Sequence, residues 1–583
     1  MTNIEILRNE MNKNGIAACI IPTADPFLSE YTAEHYAFRS FLCPFSGSAG
    51  TLVVTLNGSG LWTDGRYYIQ AERELSGTET ELFRASEKNT EKIHEYLCRV
   101  LKKGDSVCTF GELFSRFYLD RLRANIEKHG LRLVTGSDFS YIWNSRPPLP
   151  NGRIFTLPDE YTGESAGSKL ARLREKMHGK GVTHYVIGAA DCAMWLLNIR
   201  GSDVEYTPVA LCFMLVSEND AVLYTEPEKA DAAVLSALAE CGVSLRPTGE
   251  IYRDISALPE KAVLAADFSK TNYALTTAAK CGCKHFPDFA GQMKCIKNAV
   301  EIQNIKQAYI YENTALIKSF YEIYNSGRRM DECAVSEIIE KNRKANADYM
   351  YPSFATIAAF GANAAMMHYS PKKGRCSEIG EDGMLLIDAG AQFPFGTTDT
   401  TRTLVFGKLT DEQRENYTLV LKANIALANA VFPQGTAANA VDCTARMPLW
   451  KKMLDYRCGT GHGVGCCLCV HEDPPRLSPS AAVILQEGMT VTDEPGVYIE
   501  NGYGIRIENH LHVVCRGKSE YGTFLAFEPL NYCPVGTEPI DGGLLDNSER
   551  AWLNEYNEEV RRLSEPYLTK EEFAWLTQYT KKI

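Results

Sequence analysis

Five side chains between residues 388 and 508 are of the types that hold hard or borderline divalent ions: Asp388, Asp399, His462, Glu494 and Glu508. Each stands in a short apolar or glycine-rich stretch and not on a charged, solvated face. Four carboxylates and one imidazole favour Mn²⁺, Co²⁺ or Zn²⁺ over a thiolate-type site. Two such ions sharing a water would bring its pKa towards neutrality and supply a hydroxide nucleophile, while one of them polarised a scissile carbonyl. The set therefore predicts a two-metal hydrolase that needs neither a serine nor a cysteine nucleophile. Taken singly, each residue has a plainer explanation, since an Asp at a strand end is commonly a turn cap and a His between glycines a loop residue. Five such residues in order argue for the site.

The elements around them must bring them together. In LLIDAGAQFPFGTTDTTRTLVFG, residues 385 to 387 read as a buried strand, 392 to 396 as a turn, and 397 to 406 as a threonine-rich returning strand. That hairpin places Asp388 and Asp399 on paired strands. His462 lies in GTGHGVG, whose glycines let the backbone crowd close to a cation. Glu494 ends a β-rich run in VTDEPGVYIE, and Pro495-Gly496 turns the chain after it. Glu508, in YGIRIENHLHVV, alternates with Ile505 and Ile507 and so points where the apolar strand residues do not.

These motifs resemble the aminopeptidase P family, the Xaa-Pro aminopeptidases of the pita-bread metallopeptidases, and the resemblance covers nearly the whole chain. It includes DPFLSEY, FSGSAGTLVVT and WTDGRYYIQA near the N-terminus and WLLNIRGSDVEYTPV in the middle. HYSP from His368, IDAG with TTDTTRT, GTGHGVG, VHEDP, TDEPG, IRIEN and the tail WLNEY complete it. The resemblance implies hydrolysis of the N-terminal residue from peptides with proline second, two divalent ions per chain with Mn²⁺ first and Zn²⁺ or Co²⁺ as alternatives, and a homodimer. It further implies that Asp399 and Glu508 bridge the ions, Asp388 holds one, and His462 and Glu494 hold the other, with Glu494 also handling a proton. Arg506 would orient a carboxylate ligand. His368 would donate to the carbonyl oxygen as it gains charge, and His471 would assist proton transfer to the leaving nitrogen. Three positions depart from the family: Cys458 stands where it usually has His, with Arg457 in place of Gly, and Phe27 replaces another His. The five ligand positions are intact, so these departures bear on the shape of the substrate pocket. Readings that compete are a prolidase restricted to Xaa-Pro dipeptides, a creatinase-like amidinohydrolase without the carboxylates, and a non-catalytic pita-bread peptide-binding protein.

At 583 residues with 45% hydrophobic content, the chain can build several cores. A net charge of −12 argues against a nucleic-acid surface. Glu5, Arg8, Glu10 and Lys13 break up any signal-peptide core, and no apolar run is long enough to span a bilayer, so a cytoplasmic protein is expected. The 19 cysteines include Cys19, Cys192, Cys212 and Cys515 in apolar runs, as reduced core residues would be. A thiolate metal site at Cys466, Cys467 and Cys469 beside His471 competes with that view; on a strand, Cys467 and Cys469 would face away from Cys466, and no second cysteine pair has zinc spacing.

The fold class expected is α/β (α+β): two similar creatinase-like α/β domains, 1–150 and 151–292, followed by a pita-bread catalytic domain, 293–583, whose helices wrap a curved antiparallel sheet. The proline-rich stretch 146–150 marks the first boundary. From 293 onward, MKCIKNAVEIQNIKQAYIYENTALIKSFYEIY reads as one long amphipathic helix, and a second helix follows at 331–344 with Asp331 as N-cap.

Overall fold

A computed structural model describes residues 1–136, 138–327 and 329–583. Contacts divide it into two compact units, 1–158 with 164–291, and 159–163 with 292–583.

The first unit contains the same sheet twice. In chain order the strands of one are Ala18–Pro22, Thr51–Thr55, Ser59–Thr63, Thr80–Arg84, Ser106–Thr109 and Arg132–Val134. Those of the other are His184–Ile187, Phe213–Ser217, Ala221–Tyr224, Val243–Arg246, Leu264–Ala266 and Cys283–His285. Both have the spatial order fourth, third, second, first, fifth, sixth, and each pair keeps the same parallel or antiparallel sense in the two sheets. The strand ACIIP is buried along its whole length because a central strand covered on both faces needs a continuous apolar run. Phe27 is buried in this unit, its ring 4.4 Å from that of Phe213. Next to it Asp25 is also buried, and loss of solvent pushes its carboxyl up to about 6 despite amide hydrogen bonds from Phe27 and Ser29.

Every strand pair in the second unit is antiparallel. Three strands, Ile357–Phe360, Gly383–Ala389 and Thr400–Phe406, form one piece, and Val431–Pro433, Gly522–Pro529, Asn509–Ser519 and Thr490–Asp493 form another. Their apolar faces are covered by helices Ala299–Asn325, Asp411–Ala428, Ala438–Trp450 and Asn547–Ser564. The helix expected to run unbroken from 293 is two helices. Phe289–Lys294 ends, and Ala299–Asn325 starts afresh because Asn298 accepts from the Val300 and Glu301 amides while Glu301 caps back. Residues Ile302, Ile305, Tyr309, Leu316, Phe320 and Ile323 then form its buried stripe. The following helix, Glu332–Arg343, has Asp331 as N-cap, accepting from the Ala334 amide. Inside this unit Arg343 and Glu312 form an ion pair wholly removed from water.

Two further expectations need correction. The turn expected at 392–396 is narrower, because strands Ala391–Phe393 and Gly396–Thr397 pair with each other and leave only residues 394 and 395 to turn. Cys515 is exposed, whereas Cys19, Cys192 and Cys212 are buried: its strand runs past the edge of the core at a bulge between Cys515 and Gly517.

Candidate metal centre

The five donors reach one place from separate strands and connections of the second unit. Asp388 is the last residue but one of the buried strand Gly383–Ala389, opposite Thr401. Asp399 is not on the returning strand as expected. It sits in a break between Gly396–Thr397 and Thr400–Phe406, fixed by the Tyr309 hydroxyl, which accepts from the Asp399 amide and donates to its carbonyl, each at 3.1 Å. His462 is the middle residue of strand Gly461–Gly463, and its amide donates to Thr492 Oγ1 at 3.0 Å. A Cβ at 461 would lie 1.8 Å from the Thr492 carbonyl oxygen, so glycine is required for this approach. His462 Nδ1 is 2.8 Å from the Gly463 carbonyl, leaving Nε2 3.5 Å from Asp399 Oδ2 and 3.4 Å from Glu494 Oε1. The Glu494 amide donates to the Thr460 carbonyl, and the Glu508 amide to the Thr401 carbonyl.

Three overlapping groups result, in each of which the donor atoms lie within 4.8 Å of one another: Asp388, Asp399 and Glu508; His462, Glu494 and Glu508; and Asp399, His462 and His471. Asp399, His462 and Glu508 each belong to two groups, and of these only the carboxylates carry two ligand oxygens. Burial first, and then the neighbouring carboxylates, hold the carboxyls of Asp399 and Glu508 well above the usual range. Glu494 is raised by burial as well, against the pull of Arg506. Asp388 Oδ1 is buried with no hydrogen-bond partner. So many crowded carboxylates with an orphaned oxygen lack positive charge, and two divalent cations fit that deficit and this donor set.

A second layer holds the carboxylates in place. The Arg506 guanidinium donates to Asp388 Oδ2, to Thr401 Oγ1 at 2.9 Å and to the Tyr498 hydroxyl at 2.7 Å. Thr401 in turn donates to Glu508 Oε2 at 2.7 Å. Arg402 donates to the Glu508 carbonyl and to Asn509, tying the chain on either side of the ligand. Ile505 and Ile507 turn the other way into the apolar core, as their alternation with Arg506 and Glu508 requires. The sequence signalled the threonine alternation in TTDTTRT without saying that Thr401 would link Arg506 to Glu508. For Tyr309 it carried no signal, because its partner Asp399 is remote in the chain, whereas Tyr498 meets Arg506 within one hairpin.

His368 and His471 border the same place. The His471 ring is 4.4 Å from that of His462 and 6.5 Å from that of His368. The adjoining Glu472 is clamped between the buried ammonium groups of Lys294, at 2.7 Å, and Lys297, at 2.6 Å. Cys458 is half-buried beside the apolar cluster that includes Tyr498, its carbonyl accepting from Arg446 at 2.8 Å, and it belongs to none of the metal-capable groups found among the described residues. Nor do Cys466, Cys467 and Cys469. Their segment is not a strand, and Cys467 has φ of 50°, so the face argument for them does not apply; Cys466 Sγ instead donates to the Phe395 carbonyl.

A buried carboxylate cluster of this kind, on an antiparallel sheet wrapped by helices, defines a metal-dependent hydrolase, and comparison with known proteins gives the family. Residues 301–514 match metallopeptidase family M24 and 523–583 the C-terminal region of peptidase M24, while 4–136 and 145–301 match creatinase/prolidase N-terminal domains. A probable Xaa-Pro aminopeptidase P of Neurospora crassa is 37% identical over 98% of this chain and 88% of its own length. Aminopeptidase P2 of Arabidopsis thaliana is 35% identical over 96% and 85%. The crystal structure of X-prolyl aminopeptidase from Caenorhabditis elegans, described as a cytosolic enzyme with a di-nuclear active site, superposes with a TM-score of 0.94 at 32% identity, covering 97% of this chain and 95% of that one. A prolidase from Pyrococcus furiosus covers only 61% of this chain, with a TM-score of 0.50. The chain belongs to metallopeptidase family M24 and, within it, to the three-domain aminopeptidase P proteins with the pita-bread catalytic fold.

Proposed function

We propose that the chain is an Xaa-Pro aminopeptidase that removes the N-terminal residue from peptides with proline at the second position, using two divalent ions. The observation that carries this reading is the convergence of Asp388, Asp399, His462, Glu494 and Glu508 in overlapping groups within 4.8 Å. In the proposed assignment Asp399 and Glu508 would hold both ions, Asp388 would hold one, and His462 and Glu494 the other. Mn²⁺ is the metal proposed first, with Zn²⁺ or Co²⁺ as alternatives. A bound pair would supply a water of lowered pKa and Lewis acidity towards the scissile carbonyl. Glu494 Oε1, which accepts from Thr492 at 3.3 Å, takes the proton of the attacking water. His368 donates to the carbonyl oxygen as charge develops there, and His471, next in the chain to the clamped Glu472, delivers a proton to the departing proline nitrogen. Arg506 keeps the Asp388 carboxylate aimed.

A bond preceding proline is a tertiary amide without an N–H, so subsites that grip that donor have nothing to hold and a dedicated pocket is needed. Full-length similarity to aminopeptidases P, against 61% coverage by a prolidase, supports tripeptides and longer peptides over dipeptides. Release of the N-terminal residue from Xaa-Pro-Yaa peptides is therefore expected, with Xaa-Ala-Yaa controls poor. Cleavage of Xaa-Pro dipeptides alone would assign a prolidase.

Cys458 gives a narrower expectation. A thiol is smaller than imidazole and nearly apolar, so it leaves the proline side of the pocket looser. Cys458→His should leave metal content unchanged and alter KM or kcat/KM for Xaa-Pro substrates a few-fold, the effect of about 1–2 kcal/mol for one pocket contact. Loss of a metal ion in this variant would make Cys458 a ligand.

We also place the domain divisions at 1–150, 151–292 and 293–583. A homodimer is supported by the exposed Met447 and Trp450 at the end of helix Ala438–Trp450 and the exposed Met453 in the turn after it. A cytoplasmic location is supported by the C. elegans relative and by 19 cysteines in thiol form. Among the described residues no helix is long and apolar enough to cross a membrane.

A further inference from the structure

Away from the carboxylate centre, a second cluster of potential ligands and nucleophiles lies where the segment carrying His368 returns to the sheet. Asp331, Cys333 and Cys376 bring one donor atom each within 4.8 Å of one another, and all three are half-buried. The backbone explains why. Asp331 and Glu378 form an antiparallel bridge, the Glu332 amide donates to the Ser377 carbonyl, and the Ile379 amide to the Met330 carbonyl. Cys333, in the first turn of the helix, then lies directly beside Cys376, which brings the two Sγ atoms within 4.8 Å of each other. The two thiols are near enough to share a hydrogen bond.

Glu332, between Asp331 and Cys333, is the anchor of the whole segment. It is fully buried and accepts from the Phe360 amide, Asn363 Nδ2, the Tyr369 hydroxyl at 2.7 Å and the Ser377 amide at 2.8 Å. Residues 360 to 377, with His368 among them, are thus already pinned to the start of helix Glu332–Arg343 by hydrogen bonds. Metal binding by the same three side chains is disfavoured, because Asp331 Oδ1 is spent on the helix N-cap and three donors leave a soft ion short of a fourth.

We propose that Cys333 and Cys376 are a reversible disulfide site that covalently braces the His368 segment without altering its resting geometry. The oxidant is a small disulfide of the glutathione class, whose carboxylates suit the exposed Lys372, Lys373 and Arg375 beside Cys376. Cys376, as thiolate, attacks one sulfur of that disulfide and releases one glutathione thiolate. Cys333 then loses its proton and attacks Cys376 Sγ, releasing the second. Two protein thiols are oxidised to one disulfide, the small disulfide is reduced to two thiols, and the two protein protons end on the released glutathione.

The test treats the metal-loaded full chain, and its Cys333→Ser and Cys376→Ser variants, with glutathione disulfide, blocks remaining thiols and digests with trypsin. A non-reduced peptide pair joining Cys333 to Cys376 is expected in the unsubstituted chain, absent after dithiothreitol and absent in both variants. Turnover of an Xaa-Pro-Yaa peptide should be unchanged by oxidation, while the half-life at an inactivating temperature lengthens several-fold in the unsubstituted chain only. Both cysteines recovered singly alkylated or glutathionylated, or a divalent ion retained by the chain and lost with Cys333→Ser, would overturn the disulfide site. A disulfide that formed but changed turnover tenfold would overturn its role as a brace.

Discussion

Asp399→Ala and Glu508→Ala are each expected to abolish hydrolysis of Xaa-Pro-Yaa peptides to within assay background, whereas His471→Ala should leave a measurable rate lowered about 10²-fold to 10⁴-fold. The difference follows from geometry. Asp399 and Glu508 each belong to two of the overlapping donor groups, so removing either carboxylate disturbs the place of both ions. Glu508 is also the acceptor for Thr401, through which Arg506 is held, so its loss loosens the support of Asp388 as well. A histidine that only moves a proton can be replaced in part by water. Elemental analysis of the three variants separates these roles, since the carboxylate variants should lose metal and His471→Ala should keep it. Equal residual rates, or metal loss in His471→Ala, would make His471 a ligand, a place its proximity to Asp399 and His462 allows it to fill.

The donors themselves were legible because metal ligands come as residue types in constrained local settings. GTGHGVG announces a close backbone approach, and the Cβ that 461 cannot carry is the physical reason for that glycine. Alternation of Ile505 and Ile507 with Arg506 and Glu508 separated core from site, as the structure has it. Less was visible wherever a tertiary partner decides the backbone. Asp399 leaves its strand because Tyr309, on a helix ninety residues earlier, satisfies both its amide and its carbonyl, and a run of threonines conceals that break. The gap before Ala299 is a capping box inside a pattern that stays apolar across it, so periodicity alone carried the helix too far. Cys515 looked like core because its neighbours are apolar, yet its strand is exposed from there onward, where the bulge between Cys515 and Gly517 shifts the register. The repeated sheet of the first unit appeared in the sequence only as similar alternations of strand and helix, since identical pairing order is a property of contacts between strands far apart in the chain.

Removal and return of metal should have the largest effect of all. Without cations, the buried carboxyls of Asp399, Glu494 and Glu508 are held in the protonated direction by burial and by one another. A carboxyl with a raised pKa favours the fold while protonated, and that contribution fades as pH rises and the group is forced to ionise. Cations reverse the balance by stabilising the ionised forms, so loading releases protons and the stabilisation it brings grows with pH. The most direct test is to strip the chain with a chelator, return Mn²⁺, Zn²⁺ or Co²⁺ in steps, and measure bound metal and cleavage of an Xaa-Pro-Yaa peptide on the same samples. Activity that is lost on stripping and returns as occupancy approaches about two ions per chain is the expected result. Full activity in metal-free protein, or no more than trace metal bound after reconstitution, would contradict the two-metal centre.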